Sequence, residues 1–201
     1  LKQHRNNPVH WHPWGKKALE KAKELKKPIF LSVGYASCHW CHVMANESFE
    51  DNKIAKIMNK NFINIKVDRE ERPDLDAIYQ NALSVQGEQG GWPLTMFLTP
   101  DCEPFWGGTY FPPISKFGRP AFPDVLKFIF NLFHEEKNKN KKNVLLIKTA
   151  LINTSKNIKE NKINDQLSEQ VSLSLINIMD KKFGGIQGAP KFPNVPVFEN
   201  I

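Results

Sequence analysis

The residues best suited to chemistry in this 201-residue sequence are two cysteines separated by two residues, Cys38 and Cys41. On a helical turn this spacing brings the sulfurs within disulfide distance, and the unpaired N–H groups of a helix N-terminus favour a thiolate. We therefore predict thiol–disulfide exchange, in which Cys38 attacks and Cys41 resolves the mixed disulfide. His39, if protonated, would stabilise that thiolate and make the disulfide more oxidising, and His42 could carry a proton to Cys41.

Other interpretations of the same residues stay open. The segment from Cys38 to His42 also matches C-x-x-C-H, the attachment sequence of c-type haem, but it follows a buried strand in a sequence without a visible export signal. Zinc would need two further ligands, and no second C-x-x-C or H-x-x-x-H supplies them. The cysteines could also pack as a structural pair. We favour redox chemistry because only three cysteines are present, and we expect no metal and no cofactor.

Helices and strands alternate around the cysteines. Apolar residues recur at helical spacing from Trp14 to Leu25, and Pro28 ends that helix. The apolar run over 28–34 is typical of a strand buried on both faces, and the cysteine pair follows it at the start of a helix.

The later segments complete a sheet. A helix with Ile54 and Met58 precedes a strand over 63–67, and a helix from Asp74 precedes a hairpin over 94–106. A last helix carries Pro123 in its first turn. This order predicts an α/β protein with the thioredoxin-like fold, a three-layer α/β/α sandwich with a mixed central sheet.

Charge and hydropathy exclude several classes of protein. The net charge of +7 comes from 28 basic and 21 acidic residues. Its lysines cluster in the first helix, among glutamates, and over 137–142, an Asn-rich stretch that resembles a surface loop. Neither cluster has an aromatic platform for stacking bases, so we expect no nucleic-acid partner.

No apolar run approaches the roughly 18 residues of a membrane span, and no signal peptide is visible, so we expect no membrane association and a cytoplasmic location.

The composition changes towards the end of the sequence. We predict a helix over 144–158, a polar stretch over 160–165 and an amphipathic helix from Leu167 to Met179. A Gly- and Pro-rich segment follows over 183–193. We therefore expect one domain over 1–159, and over 160–201 a linker and the truncated helical start of a second domain.

Several short segments identify a family by their order and spacing over residues 1–136. They are 7–11 (NPVHW), 27–32 (KPIFLS), 37–44 (SCHWCHVM), 47–51 (ESFED), 65–74 (IKVDREERPD), 90–94 (GGWPL) and 107–113 (GGTYFPP). Together they resemble the N-terminal thioredoxin-like domain of the spermatogenesis-associated protein 20 family. The resemblance implies that residues 184–193 begin that family's second domain, an (α/α) toroid similar to sugar epimerases and glycosidases.

The resemblance also implies roles for individual residues. Cys38 and Cys41 match the redox pair, and Pro93 matches the cis-proline that faces the pair and exposes a backbone edge to a substrate chain. A trans-proline that starts a strand is the alternative for Pro93. Trp92 and Trp106, each beside glycines, could line a substrate groove or pack in the core, and we favour packing.

Two departures from thioredoxins affect the expected chemistry. Ser32 stands where thioredoxins commonly place a buried acid, so the acceptor of the Cys41 proton must be another group, such as His42 or Asp68. The residues between the cysteines are His39 and Trp40 rather than Gly and Pro, so reductase behaviour does not follow from the resemblance.

We therefore expect a thiol–disulfide oxidoreductase-like domain that acts on protein or small-molecule thiols and disulfides beside the family's C-terminal toroid. The alternative is a non-catalytic thioredoxin-like module that docks or regulates that carbohydrate-enzyme-like domain, with its cysteines kept for structure.

Overall fold

The computed structural model describes residues 2–5, 7–116, 118–156, 165–188, 191 and 198. The chain divides into two compact units, Leu1–Asn157 and Ile158–Ile201. Among the described residues, no helix has both the length and the apolar character needed to cross a membrane.

The first unit is built on a five-stranded mixed sheet. Its strands are β1 (Trp11–Pro13), β2 (Ile29–Gly34), β3 (Ile63–Asp68), β4 (Leu94–Leu98) and β5 (Pro104–Gly108). They lie in the order β1-β3-β2-β4-β5, with β1, β3 and β2 parallel and with β4 antiparallel to both β2 and β5. This order confirms the predicted mixed sheet of a thioredoxin-like fold, with β2 at its centre.

Helices connect the strands. They are α1 (Lys16–Glu24), α2 (His39–Met44), α3 (Asn52–Asn61), α4 (Pro73–Val85), α5 (Phe122–His134) and α6 (Lys137–Lys156). A 3₁₀ turn over Lys2–His4 precedes β1, and α2 continues directly into a π-helical turn over Ala45–Phe49. Asp51 begins α3 by accepting hydrogen bonds from the backbone N–H groups of Lys53 and Ile54, as an N-cap residue does.

Two apolar cores lie on opposite faces of the sheet, because neighbouring residues of a strand point to opposite sides. Phe30 of β2 packs with residues of α3, α5 and the π-helical turn, whereas Leu31 packs with residues of α1, α4 and α6. Every residue of β2 is buried. The three-layer α/β/α arrangement is therefore confirmed, and it fixes the strand that leads to the cysteines.

Two local predictions were wrong or incomplete. The stretch over 137–142 is the first part of α6 rather than a surface loop: the backbone N–H of Asn140 donates to the Glu136 carbonyl, and Lys139 pairs with the Glu136 carboxylate at 2.9 Å. Strand β1 was not predicted, since three residues are too few to show a two-residue period.

The second unit contains α7 (Asp165–Asn177), which matches the predicted amphipathic helix. Met179 and Ile186 then form an antiparallel bridge around a turn. The Asp180 carboxylate accepts hydrogen bonds from Lys191 and from two backbone N–H groups, which lower the pKa of Asp180 to about 2.

The predicted polar stretch up to residue 164, the end of the helix predicted over 144–158 and most of 189–193 lie outside the described residues. The assignment of this unit to a toroid stays a prediction.

Candidate functional site

Cys38 and Cys41 form a disulfide at the start of α2, with their Cα atoms 5.2 Å apart. The chain leaves β2 at Gly34 and turns back, so that the Cys38 N–H donates to the Tyr35 carbonyl at 3.2 Å. Cys38 is the N-cap residue of α2, and its sulfur accepts a hydrogen bond from the Cys41 N–H at 3.2 Å. The predicted position of the pair, just after a central strand at a helix N-terminus, is therefore correct.

The two sulfur-bearing residues are nearly sealed from solvent in this disulfide state. Cys38 is 3% exposed and Cys41 is 8% exposed. The two residues between them behave differently, since His39 is exposed and Trp40 remains 47% exposed. The Trp40 ring contacts the rings of His39 and Tyr110, with centroids 5.6 Å and 5.0 Å away.

An aromatic groove of about 510 Å³ reaches Trp40, one of the two residues between the cysteines. Its lining residues are Trp40, Gln89, Gly90, Gly91, Trp92, Thr109, Tyr110 and Arg119. The peptide bond between Trp92 and Pro93 is cis, as the family resemblance implies. Trp92 therefore lines a groove, whereas Trp106 packs against Phe97, Phe111 and Phe128.

Helix α4 positions the loop that carries Trp92. The Asp76 carboxylate accepts a hydrogen bond from the Trp92 indole N–H at 2.9 Å, and the Arg69 guanidinium lies 4.1 Å from the ring centroid of Trp92. The Gln80 side chain donates to the Gly91 carbonyl at 3.0 Å and accepts from the Gly91 N–H at 3.2 Å. Sequence reasoning missed Asp76 and Gln80. Their separation of four residues on one helix face was the available signal.

A second cluster supports the other wall of the groove. The Tyr110 hydroxyl donates to the Glu47 carboxylate, and Lys116 Nζ lies 2.9 Å from the same carboxylate. These hydrogen bonds lower the pKa of Glu47. Because Tyr110 packs against Trp40, the cluster fixes the tryptophan beside Cys38.

Another pocket, of about 600 Å³, reaches Cys41 from the side of β3. His42 and Asp68, the two predicted proton acceptors, both line it with Cys41. His42 is exposed, and its Nε2 is 2.7 Å from the Ala36 carbonyl, to which it donates. One lining residue, Lys66, was not among the predicted site residues.

Lys66 is a half-buried lysine of β3. Its Nζ donates to Ser32 Oγ at 2.9 Å, across the β2–β3 pair where the two residues are in register. Burial lowers the pKa of Lys66 to about 8, and the nearby Asp68 carboxylate opposes that shift. The alternation of apolar and polar residues that predicts β3 gave no indication of this environment of Lys66. Such an alternation does not show that other elements cover both faces of the strand.

Gly34 allows Cys41 to approach the sheet. A Cβ added at Gly34 would lie 2.8 Å from Cys41 Sγ, closer than packed atoms tolerate. The Gly34→Ala variant should therefore lose about 1–3 kcal/mol of unfolding free energy in the oxidised state, since a disulfide sulfur has little freedom to move away. Urea denaturation measures the loss. Gly15→Ala is the matched control, because a Cβ there meets nothing within 4 Å, and equal stability of the two variants would contradict the prediction.

The described residues do not include a group of three or more His, Cys, Asp and Glu side chains placed to hold a metal ion. What the site does contain is a disulfide at a helix N-terminus and a groove close to it. This is the arrangement of a thiol–disulfide oxidoreductase-like module.

Several solved structures resemble the chain, among them the following two. A DsbH oxidoreductase matches with a TM-score of 0.47 and 19% identity over 62% of this chain and 85% of that one. A thioredoxin from Thermus thermophilus matches with a TM-score of 0.48 and 18% identity over 63% of this chain and 91% of that one.

Several proteins are much more similar to this chain in sequence than these solved structures are. An uncharacterised protein of Caenorhabditis elegans is 45% identical over 197 residues, which cover 96% of this chain and 26% of the relative. Spermatogenesis-associated protein 20 of Rattus norvegicus is 42% identical over 209 residues, covering 100% and 26%, and that of Homo sapiens is 41% identical, covering 96% and 25%. The resemblance seen in the sequence is thus confirmed, and the chain spans about a quarter of the length of these relatives.

The Thioredox_DsbH family, described as a protein of unknown function, DUF255, matches residues 1–152. These residues include β1 to β5, the cysteine pair and both pockets of the first unit. The chain therefore belongs to the Thioredox_DsbH family.

Proposed function

We propose that the unit of residues 1–157 is a thiol–disulfide oxidoreductase whose working residues are Cys38 and Cys41. The observation that carries the proposal is the disulfide between them at the first turn of α2, where the Cys41 N–H already donates to Cys38 Sγ. A hydrogen bond to that sulfur stabilises it as a thiolate after reduction, and the thiolate is the reactive form.

In the reduced state Cys38 attacks a substrate disulfide, and one substrate sulfur leaves as a thiolate. Cys41 then attacks Cys38 Sγ in the mixed disulfide, the second substrate sulfur leaves, and the Cys38–Cys41 bond forms. The protein is oxidised by two electrons and the substrate is reduced by two. Oxidation of a substrate dithiol follows the same steps in reverse.

The aromatic groove supports an extended thiol- or disulfide-bearing chain as the substrate. Trp40, Tyr110 and the loop from Gly90 to Trp92 line the groove. Because Trp40 lies between Cys38 and Cys41 in the sequence, a substrate chain laid along the groove would come close to the cysteine pair. The loop offers backbone groups for pairing, and the rings offer apolar contact. His39, Trp40 and His42 then modulate the pair, since they are exposed residues within the C-x-x-C segment or directly after it.

One observation favours the alternative function, a non-catalytic module. Both cysteines are buried in the disulfide state, as structural disulfides are. In that case the cysteines hold the turn between β2 and α2, and the unit docks or regulates the remainder of a longer chain, for which the family resemblance implies an (α/α) toroid.

We place the protein in the cytoplasm. Cys102 is a free cysteine, and the single disulfide belongs to a C-x-x-C motif. In reducing compartments the disulfides that form are usually transient and catalytic, which is consistent with this use of cysteine.

A glutathione redox titration of the Cys102→Ser chain tests the proposal. Alkylation and mass spectrometry would follow Cys38 and Cys41, and we expect one reversible two-electron transition. Its midpoint separates a reductase, near about −270 mV, from an oxidant, near about −120 mV. If no reversible transition occurs, or if both thiols resist alkylation until the protein unfolds, the pair is structural and the docking alternative stands.

A further inference from the structure

The half-buried amine of Lys66 has no part in the steps described so far, and its surroundings are specific. Its Nζ is held by Ser32 Oγ of β2 at 2.9 Å. The rings of Trp11 and Phe49 lie 5.6 Å and 5.5 Å from it. Partial burial lowers the pKa of Lys66 to about 8, so a fraction of the amine is neutral near neutral pH.

Lys66 and Cys41 both approach the backbone at Gly34. The position that a Cβ of Gly34 would take lies 2.8 Å from Cys41 Sγ and 4.0 Å from Lys66 Nζ. The two residues also line the same pocket, and exposed residues such as His42 and Asn46 line it too, so water reaches both groups. Proton transfer between them can use a bridging water molecule.

Several titratable groups surround Lys66, and Glu50 and Glu71 line the same pocket. Asp68 on the same strand favours the charged ammonium. His4 of the N-terminal 3₁₀ turn is a poor competitor for the proton, because burial and the charge of Lys66 lower the pKa of His4 to about 4. His42 of α2 donates to the Ala36 carbonyl.

We infer that Lys66 is the proton acceptor for Cys41, and that it takes the thiol proton when Cys41 attacks the mixed disulfide. The inference rests on the proposed function. Ser32 holds the amine in place and, as an uncharged hydroxyl, leaves the lysine as the base.

The Cys41 S–H bond breaks and its proton goes to Lys66 Nζ. The Cys41 sulfur bonds to Cys38 Sγ, while the bond from Cys38 to the substrate sulfur breaks and its electron pair leaves on the substrate as a thiolate. The ammonium then returns its proton to water or to that thiolate.

The test measures this step alone. In the Cys102→Ser background, Cys38 reacts with the aromatic disulfide 5,5′-dithiobis(2-nitrobenzoate), and the attack of Cys41 then releases the second coloured thiolate. The release rate is recorded by stopped flow from pH 5.5 to 10. In the parent chain we expect the rate to rise with pH through a limb near pH 8, where the amine becomes neutral.

Lys66→Met and Lys66→Arg separate a proton acceptor from a structural cation. Both variants should resolve the mixed disulfide at least about tenfold more slowly at pH 7 and lose the limb near pH 8, because methionine has no base and the guanidinium does not release its proton. Adding Ser32→Asp to Lys66→Met supplies a new acceptor and should restore part of the rate. Lys56→Met, on the exposed face of α3, is the matched control and should leave the profile unchanged.

Each outcome is informative. If Lys66→Arg is as fast as the parent chain, or if both variants keep its pH profile, the inference fails while the proposed function stands. If the parent chain itself never resolves the mixed disulfide, the proposed function fails first. Either Lys66 variant is sufficient, so the misfolding of one does not remove the test.

Discussion

Cys38→Ser should lower the rate of thiol–disulfide exchange by at least about 1,000-fold, because a hydroxyl at the start of α2 cannot replace the attacking thiolate. Cys41→Ser should give a different result. Cys38 still attacks, but no second thiol releases the product, so the mixed disulfide accumulates. Intact-protein mass spectrometry after addition of a disulfide-containing peptide would show one peptide bound per chain in Cys41→Ser and none in Cys38→Ser.

The third cysteine gives the control for this pair of variants. Cys102 lies in the turn between β4 and β5, and burial raises the pKa of its thiol. Cys102→Ser should therefore exchange at the parent rate. If Cys38→Ser retained exchange, or if the peptide were trapped on Cys38→Ser instead of Cys41→Ser, the assignment of attacking and resolving residues would be wrong.

Phe30→Ala should lower the free energy of unfolding by about 3–5 kcal/mol, because it removes the ring at the centre of one core. Phe30 is fully buried, and four aromatic rings lie within 6.2 Å of its centroid. Those rings come from β1, β4, α5 and the π-helical turn, so the surrounding elements cannot all move inward to fill the cavity. Urea denaturation of the oxidised protein measures the effect as a lower transition midpoint.

Phe128→Ala is the matched control for Phe30→Ala. Phe128 is a phenylalanine of α5 that remains 43% exposed and touches Trp106 at one edge of the unit. Its removal should cost less than about 1 kcal/mol. Similar losses in the two variants would mean that the core on this face of the sheet does not depend on Phe30.

Local sequence patterns were enough to predict the position of the cysteine pair. The apolar run of β2 and the turn after it are signals within a dozen residues, and Cys38 follows them directly as the N-cap of α2. The hairpin of β4 and β5 and the Pro123 start of α5 are equally local. Such features depend on the spacing of apolar residues and on residue types that favour a turn or a helix start, and both can be seen in the sequence.

The groove and the pocket behind Cys41 were not predictable in this way. Glu47 and Tyr110 are 63 residues apart, and the register of β2 with β3 is what places Lys66 on Ser32. The substitution of an acid by Ser32 was visible in the sequence and pointed to His42 or Asp68 as the acceptor. Lys66 could be recognised only when the lateral order of the strands was known, because the same side chain on an exposed strand face would be an ordinary surface lysine.

The two edge strands of the sheet, β1 and β5, carry features that limit self-association. Strand β1 has three residues and finishes at Pro13, and β5 starts at Pro104. Proline has no backbone N–H that could donate a hydrogen bond to an incoming strand. A three-residue strand also offers an incoming strand few backbone groups for hydrogen bonding. Neither edge strand is therefore a good template for strand addition between copies. The sheet of this unit therefore resists growing into fibrils by strand addition between copies.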